Sequence, residues 1–210
     1  MGRKIYQGKI NNKERSKQKL INAVGKILKV KGYTGLTATN IAKAAGLSRR
    51  LITMYFDSVD DLIETYVRDR DFWSTAASKT DEMIAITEGR DTKEIINYLL
   101  QNQIDNFYNN PEMQKLILWE ISTKSKIMYE VCQEREHLGT KVFELTDKEL
   151  NNKDIDVRAV TALLVAGIYY MVLHSQSTDT TFCEIDIDEP EGMKRIKNAV
   201  SLILDKTYNN

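Results

Sequence analysis

The sequence predicts an all-α protein of about nine helices, and three observations carry that prediction. Apolar residues recur three and four positions apart through most of the 210 residues. No stretch alternates apolar with polar residues as a half-buried strand does. The two prolines, Pro111 and Pro190, each stand where the first turn of a helix tolerates them, behind Asn110 and behind Asp188 or Glu189.

Taken in order, Leu20, Ile21, Val24, Ile27 and Leu28 form the apolar face of a first helix. Lys29 and Lys31 mark its end and Gly32 its stop. Thr37 is placed to cap a second helix reaching about Ala45, with Ile41 and Ala45 turned to a core. Gly46 supplies the positive φ of a tight turn, Leu47 plugs the corner, and Ser48 is placed to cap a third helix carrying Ile52 and Phe56. Small Ala42, glycine four later and an aliphatic six beyond is the spacing of a helix-turn-helix. Ser58, followed by Asp60 and Asp61, opens a helix with the stripe Leu62, Ile63, Tyr66 and Val67. Further stripes are Ile95, Ile96, Leu99 and Leu100, then Val160, Leu163, Leu164 and Gly167, then Ile196, Val200, Ile203 and Leu204. "STDTTFCEIDIDEPEG", Ser177 to Gly192, reads as the one long loop. The expected division is a helix-turn-helix domain over 1–57 and a helical domain over 58–210.

Composition narrows the function. The zero net charge conceals an asymmetry: Met1 to Phe56 holds thirteen Lys or Arg and one acid, a net of +12 against −12 for the rest. A basic head on an acidic body points to a polyanionic partner. The apolar run Ala159 to Leu173 is shorter than the ~20 residues of a membrane span and flanked by Arg158 and His174, so a buried helix is expected and a membrane is not. Two cysteines make no disulfide framework and the N-terminus has no secretory pattern, which favours a cytoplasmic protein. His137 and His174 lack a paired nucleophile, the spacing of Cys132 and His137 suits no single helical face, and "CEIDIDEPE" lacks the ligand order of a calcium loop. Neither an enzyme nor a cofactor is expected.

The stretch "GYTGLTATNIAKAAGLSRRLITMYFDSVDDL", Gly32 to Leu62, resembles the N-terminal signature of the TetR family of bacterial transcriptional regulators. The matching residues are Gly32-Tyr33, Thr37, Ile41-Ala42, Ala45-Gly46-Leu47-Ser48, Tyr55-Phe56 and Asp61-Leu62. The chain departs from the family pattern at Arg50, where a small residue is frequent, at Thr53, often tyrosine, and at Val59, usually a lysine.

The resemblance implies an all-helical homodimer that binds a palindromic double-stranded DNA operator and is released by a small hydrophobic effector. A helix starting near Ser48 would enter the major groove N-terminus first, bringing Arg49 and Arg50 to base edges and phosphates. Placing arginine at a helix N-terminus costs roughly 0.3–1 kcal/mol against the macrodipole. A guanidinium fork on guanine returns about 1–3 kcal/mol of discrimination. Thr53 and Met54 would touch a thymine methyl or base edge, and Thr37, Thr39, Lys43 and Tyr55 phosphates. Arg3, Lys4, Lys9 and Lys13 would form a basic arm or a solvated tail. Dimerisation is expected on the helices around Val157 to Ser175 and Met193 to Lys206, where Ala159, Ala162, Ala166 and Gly167 permit close approach. Tyr98, Tyr108, Trp119, Tyr129, Tyr169 and His174 are the candidate effector residues. A ligand-independent DNA-binding protein of the same fold, nucleoid-organising or division-linked, is the alternative, as is an activator.

Overall fold

The computed structural model describes residues 8–70, 72–87, 91–151 and 155–209. Among these, the helices are α1 Gly8–Lys31, α2 Ala38–Ala45, α3 Arg50–Phe56, α4 Val59–Arg70, α5 Phe72–Thr87, α6 Thr92–Tyr108, α7 Pro111–Ser122, α8 Lys126–Glu149, α9 Val157–Thr178 and α10 Pro190–Asn209. A short 3-10 turn, Tyr33–Gly35, links α1 to α2. The described chain is all-α as expected, with ten helices rather than about nine and only an isolated bridge between Phe182 and Ile185.

Most helix ends obey their local chemistry. The Thr37 hydroxyl accepts the Asn40 N–H at 3.2 Å, the Asn110 side chain accepts the Met113 N–H at 3.1 Å, and Asp156 accepts the Ala159 N–H at 2.9 Å. Ser58 and Asp61 form a reciprocal cap, the Asp61 N–H donating to the Ser58 hydroxyl at 3.0 Å and that hydroxyl donating back to the carboxylate at 2.6 Å. Gly32 and Gly46 close α1 and α2 at φ values of 66° and 65°. Two expectations are corrected. Ser48 makes no capping hydrogen bond: α3 starts at Arg50 and the residue flanking it is Arg49, whose backbone is already helical at φ −58° and ψ −30°. Lys9 and Lys13 belong to α1, which begins at Gly8, and not to an arm. Arg3 and Lys4 lie outside the described residues.

The chain forms two compact units. The first comprises Met1–Asp71 and Lys115–Val131, the second Phe72–Gln114 and Cys132–Asn210. In the first, α1 packs on α2 and α4, and α3 on α4, around Leu20, Val24, Leu28, Ile41, Ile52, Leu62 and Tyr66. Leu47 plugs the corner as expected, and Val59 adds to the same cluster. Gly25 is where the Tyr66 ring lies against α1: a Cβ there would stand 2.6 Å from the Tyr66 hydroxyl oxygen. Trp119 of α7 stacks on Tyr33 with the rings parallel within 3° and 5.9 Å apart.

In the second unit α6 packs against α5, α9 and α10. Ile95, Ile96, Leu100 and Ile104 of α6 meet Val157 and Ile168 of α9 and Val200 and Leu204 of α10 in one cluster. The Gln101 amide donates to the Lys197 carbonyl and the Ser201 hydroxyl, so the α6–α10 seam is polar along its edge. Thr92 and Tyr208 share a buried hydrogen bond of 2.8 Å.

The expectation of a buried helix over the apolar run is corrected. α9 is 22 residues long, and only 22% of its most apolar stretch is buried within the chain. By length and composition alone it is sufficient to cross a membrane. Its inward side carries Val157, Ile168, Val172 and Ser175; its other side, with Ala159, Ala162, Leu163, Ala166, Gly167 and Tyr170, is exposed. Three-residue and four-residue steps put those six residues in one stripe, which apolar counting could not assign to core or surface.

Candidate nucleic-acid interface

The helix-turn-helix is assembled from its buried residues outward. Ile41 and Ala42 of α2 and Ile52 of α3 are at most 3% exposed and fix the crossing of the two helices. The turn between them is made by Gly46 in the left-handed region, its N–H and that of Leu47 returning to the Lys43 and Ala42 carbonyls at 3.2 and 3.0 Å. With that side in the core, the opposite side of each helix faces solvent.

Thr37, Thr39, Lys43, Ser48, Arg49, Arg50, Thr53 and Met54 are all exposed, Met54 by 58%. Thr39 and Lys43 share a face of α2, and Arg50, Thr53 and Met54 share a face of α3. The structure joins the two faces: the Arg49 guanidinium donates to the Thr39 hydroxyl at 3.2 Å. Arg49 is thereby oriented across the turn before any partner arrives. The Arg50 guanidinium makes no hydrogen bond or ion pair among the described residues and is exposed. The Thr53 hydroxyl donates to the Arg50 carbonyl, which engages its proton and leaves its oxygen able to accept. Tyr55 is half-buried against the core, so its ring anchors α3 as well as edging the surface. The Thr37 hydroxyl is already occupied by its cap.

The cationic character of this surface follows from its composition. From Lys13 to Phe56 only Glu14 is acidic. Lys17 lies over the Phe56 ring at 5.9 Å from its centroid, a contact that tethers one α1 lysine beside α3. Exposed donors and cations grouped on the open side of two short crossed helices suit a phosphate backbone with base edges between.

The six candidate effector residues are divided between the two units. Trp119 is 7% exposed and belongs to the core of the first unit, stacked on Tyr33, while Tyr129 of α8 is 65% exposed. In the second unit Tyr98 is 37% exposed. Tyr108 donates to the Asp188 carboxylate at 2.9 Å, and that hydrogen bond, with burial, holds its hydroxyl above the ordinary tyrosine range. Ser175 of α9 donates to the same carboxylate, so Tyr108 serves to pin the loop ahead of α10. Tyr169 meets the Phe107 ring at 4.7 Å between centroids. His174 instead forms an aromatic group with Tyr170 and Phe182, at 5.7 and 5.5 Å. One polar residue escaped the sequence reading. Gln103 of α6 is 1% exposed, and neither its amide nitrogen nor its oxygen has a hydrogen-bond partner among the described residues. Its signal was present: it interrupts the apolar stripe Ile96, Leu100, Phe107 at helical spacing.

Comparison with known proteins agrees with this geometry. Residues 20–66 match the family model of bacterial regulatory proteins, tetR family. No curated protein matches the chain in sequence. Among solved structures, the fatty acid degradation regulator FadR from Bacillus halodurans is similar at 17% identity and a TM-score of 0.65, over 90% of this chain and 94% of that one. A transcriptional regulator FadR from Bacillus subtilis, in complex with stearoyl-CoA, is similar at 15% identity and 0.65, over 89% and 96%. A TetR transcription regulator from Haloarcula marismortui is similar at 18% identity and 0.60, over 92% and 98%. The segment matched, 20–66, contains the turn at Gly46, both arginines and the Ser58 cap, and the full-length likeness is one of fold. This chain carries the DNA-binding domain of the TetR family of bacterial transcriptional regulators, on an all-helical body that gives the whole chain the fold of TetR-family regulators.

Proposed function

We propose that the protein is a ligand-responsive transcriptional repressor that binds a palindromic operator as a homodimer in the cytoplasm and is released by a small hydrophobic effector. The observation that carries the DNA half of this reading is the exposed pair Arg49 and Arg50 at the start of α3, one of them steadied by Thr39. Thr39, Lys43, Thr53 and Met54 complete the contact surface, with Arg49 and Arg50 the base-reading residues. The domain division keeps the function split: 1–57 meets DNA, and 58–210 binds the effector and the second subunit.

The exposed stripe on α9 supports the dimer. Its residues Ala159, Ala162, Ala166 and Gly167 leave a shallow surface with Leu163 and Tyr170 standing 75% and 53% exposed, and a Cβ at Gly167 would meet nothing within 4 Å among the described residues. On α10, Leu202 and Ile203 are exposed by 57% and 42%. Apolar area of this kind gains about 25 cal/mol per Å² when covered, and a second copy of α9 and α10 covers it. A second copy is preferred to a lipid environment because the opposite side of α9 is packed on α6 and Arg158, in its first turn, is paired with Asp147. A dimer also supplies two recognition helices for half-sites about 34–36 Å apart. An effector acts by favouring the geometry that loses this spacing.

Selection of bound DNA from a random duplex pool at moderate salt tests the reading. A palindromic consensus is expected, followed by its release in a metabolite screen. Recovery of no palindrome sinks the operator hypothesis, and a palindrome that no metabolite releases favours the ligand-independent alternative.

A further inference from the structure

Three glutamines of the second unit occupy similar ground, and two of them are satisfied. Gln101 donates from α6 to the Lys197 carbonyl and the Ser201 hydroxyl on α10. Gln114, 6% exposed, donates to the Phe107 and Tyr108 carbonyls at 2.9 and 3.1 Å. Both are structural braces. Gln103, the most deeply buried of the three, braces nothing: its Nε2 and Oε1 both lack partners among the described residues.

Helix geometry places this amide. Gln103 is two positions from Gln101, some 200° around α6 and therefore turned away from α10. It lies one turn before Phe107, whose ring meets Tyr169 of α9. Ile96, Leu100 and Phe107 flank it along one stripe, each at most 3% exposed. A second buried hydroxyl without a partner, that of Thr161, belongs to α9, which packs on α6. A threonine inside a helix ordinarily bonds the carbonyl one turn back, and Thr161 does not.

An unsatisfied buried amide is costly, and native proteins rarely keep one without a use. We propose that Gln103 is the polar anchor of the effector site, and that its ligand is an uncharged, largely apolar molecule presenting one hydrogen-bond donor beside one acceptor, as a primary amide or a lactam does. This rests on the ligand-responsive reading above and adds the chemical class. The amide offers both an N–H and a carbonyl, so a group with the reverse pair in one plane satisfies both at once. Along α6 nothing favours a charged ligand: the nearest acid, Asp105, is paired with Lys197 on the α10 side, and the flanking residues of the stripe, Ile96, Leu100 and Phe107, are apolar. An ion placed there would be desolvated without a counter-charge. Ile96 and Leu100 on one side and Phe107 on the other suit an alkyl body.

Octanamide is the probe, with octylammonium and octanoate as charged controls of the same length. Calorimetric titration of the 210-residue chain is expected to show octanamide binding at least tenfold tighter than either control. Gln103→Leu is expected to lose at least tenfold of the octanamide affinity while the ligand-free protein melts at a higher temperature, because the orphaned amide is gone. Gln103→Met repeats the measurement with a more adaptable side chain should leucine overpack. Equal octanamide binding by wild type and both variants overturns the assignment, as does no binding by wild type, tighter binding of a charged control, or a lower melting temperature in both variants. Operator release is scored separately. A metabolite that releases DNA equally from wild type and Gln103→Leu leaves the regulator reading intact and removes Gln103 from it. Gln103-dependent octanamide binding with no metabolite able to release DNA keeps the site and removes the regulator reading.

Discussion

Arg49 and Arg50 show how a single residue departs from what folding alone would choose. Two cations at the start of a seven-residue helix oppose its dipole, and neither is needed by the core. Arg49→Ala or Arg50→Ala is therefore expected to lower operator affinity about 10- to 100-fold, matching about 1–3 kcal/mol for a lost guanine contact. The melting temperature should hold within the scatter of surface substitutions, which gel-shift titration and thermal unfolding together check. Tyr208 departs in the other direction. Burial pushes its hydroxyl up to about 12 from the ordinary value near 10, partly offset by the hydrogen bond to Thr92. Its folded pKa exceeds the unfolded one, so the unfolded state loses its proton first and the folded state weakens as pH rises from about 10 to 12. Stability is expected to fall by up to about 1.4 kcal/mol per pH unit from this group across that window. Urea titrations at pH 9, 10 and 11 check it, and Tyr208→Phe should lack this component of the slope.

Elements are limited by backbone and by close approach. The α2–α3 turn depends on Gly46 at φ 65°, a region where a Cβ costs about 1–2 kcal/mol. Gly46→Ala is expected to destabilise the protein by that amount, measured as a shift in urea midpoint with an unchanged slope. Because no atom lies within 4 Å of the added Cβ, the loss comes from φ and not from a clash. Gly25→Ala fails for the opposite reason. Its φ is ordinary, but the methyl would press on the Tyr66 ring between α1 and α4, and overpacking of that kind costs about 1–3 kcal/mol. Ser48 illustrates a limit of local reading. Its residue type suits a cap, yet Arg49 already has helical dihedrals and the serine hydroxyl is left out.

Over the whole molecule, the exposed side of α9 is an apolar surface that the described residues of its own chain leave uncovered. Leu163→Glu is expected to convert the proposed dimer to a monomer in sedimentation and to reduce operator affinity by more than an Arg49 loss does, since it removes one half-site from each complex. The variant monomer should keep its helicity, because Leu163 is 75% exposed within its own chain. A dimer that survives this substitution would place the interface elsewhere. The acidic body and basic head also imply a strongly salt-dependent operator complex, with affinity falling linearly in log units against log salt.

The sequence by itself determined the helical class, the caps at Thr37, Ser58 and Asn110, the turn at Gly46 and the charged surface beside it. These features rest on interactions within four or five residues, where period, φ preference and capping chemistry act directly. Tertiary structure alone decided which residues the bodies of the helices spend on packing. Trp119 and Tyr129 carry the composition of a ligand site, yet one ring is stacked on Tyr33 and the other faces solvent. The apolar run of α9 read as buried because hydrophobicity records a wish for cover and not which chain supplies it. Gln103 was visible as a polar break in an apolar stripe, but only the packed helices show that neighbours satisfy Gln101 and Gln114 and leave Gln103 with none. Hydrogen-bond satisfaction between segments distant in sequence depends on how helices cross, and that geometry is written in no local stretch.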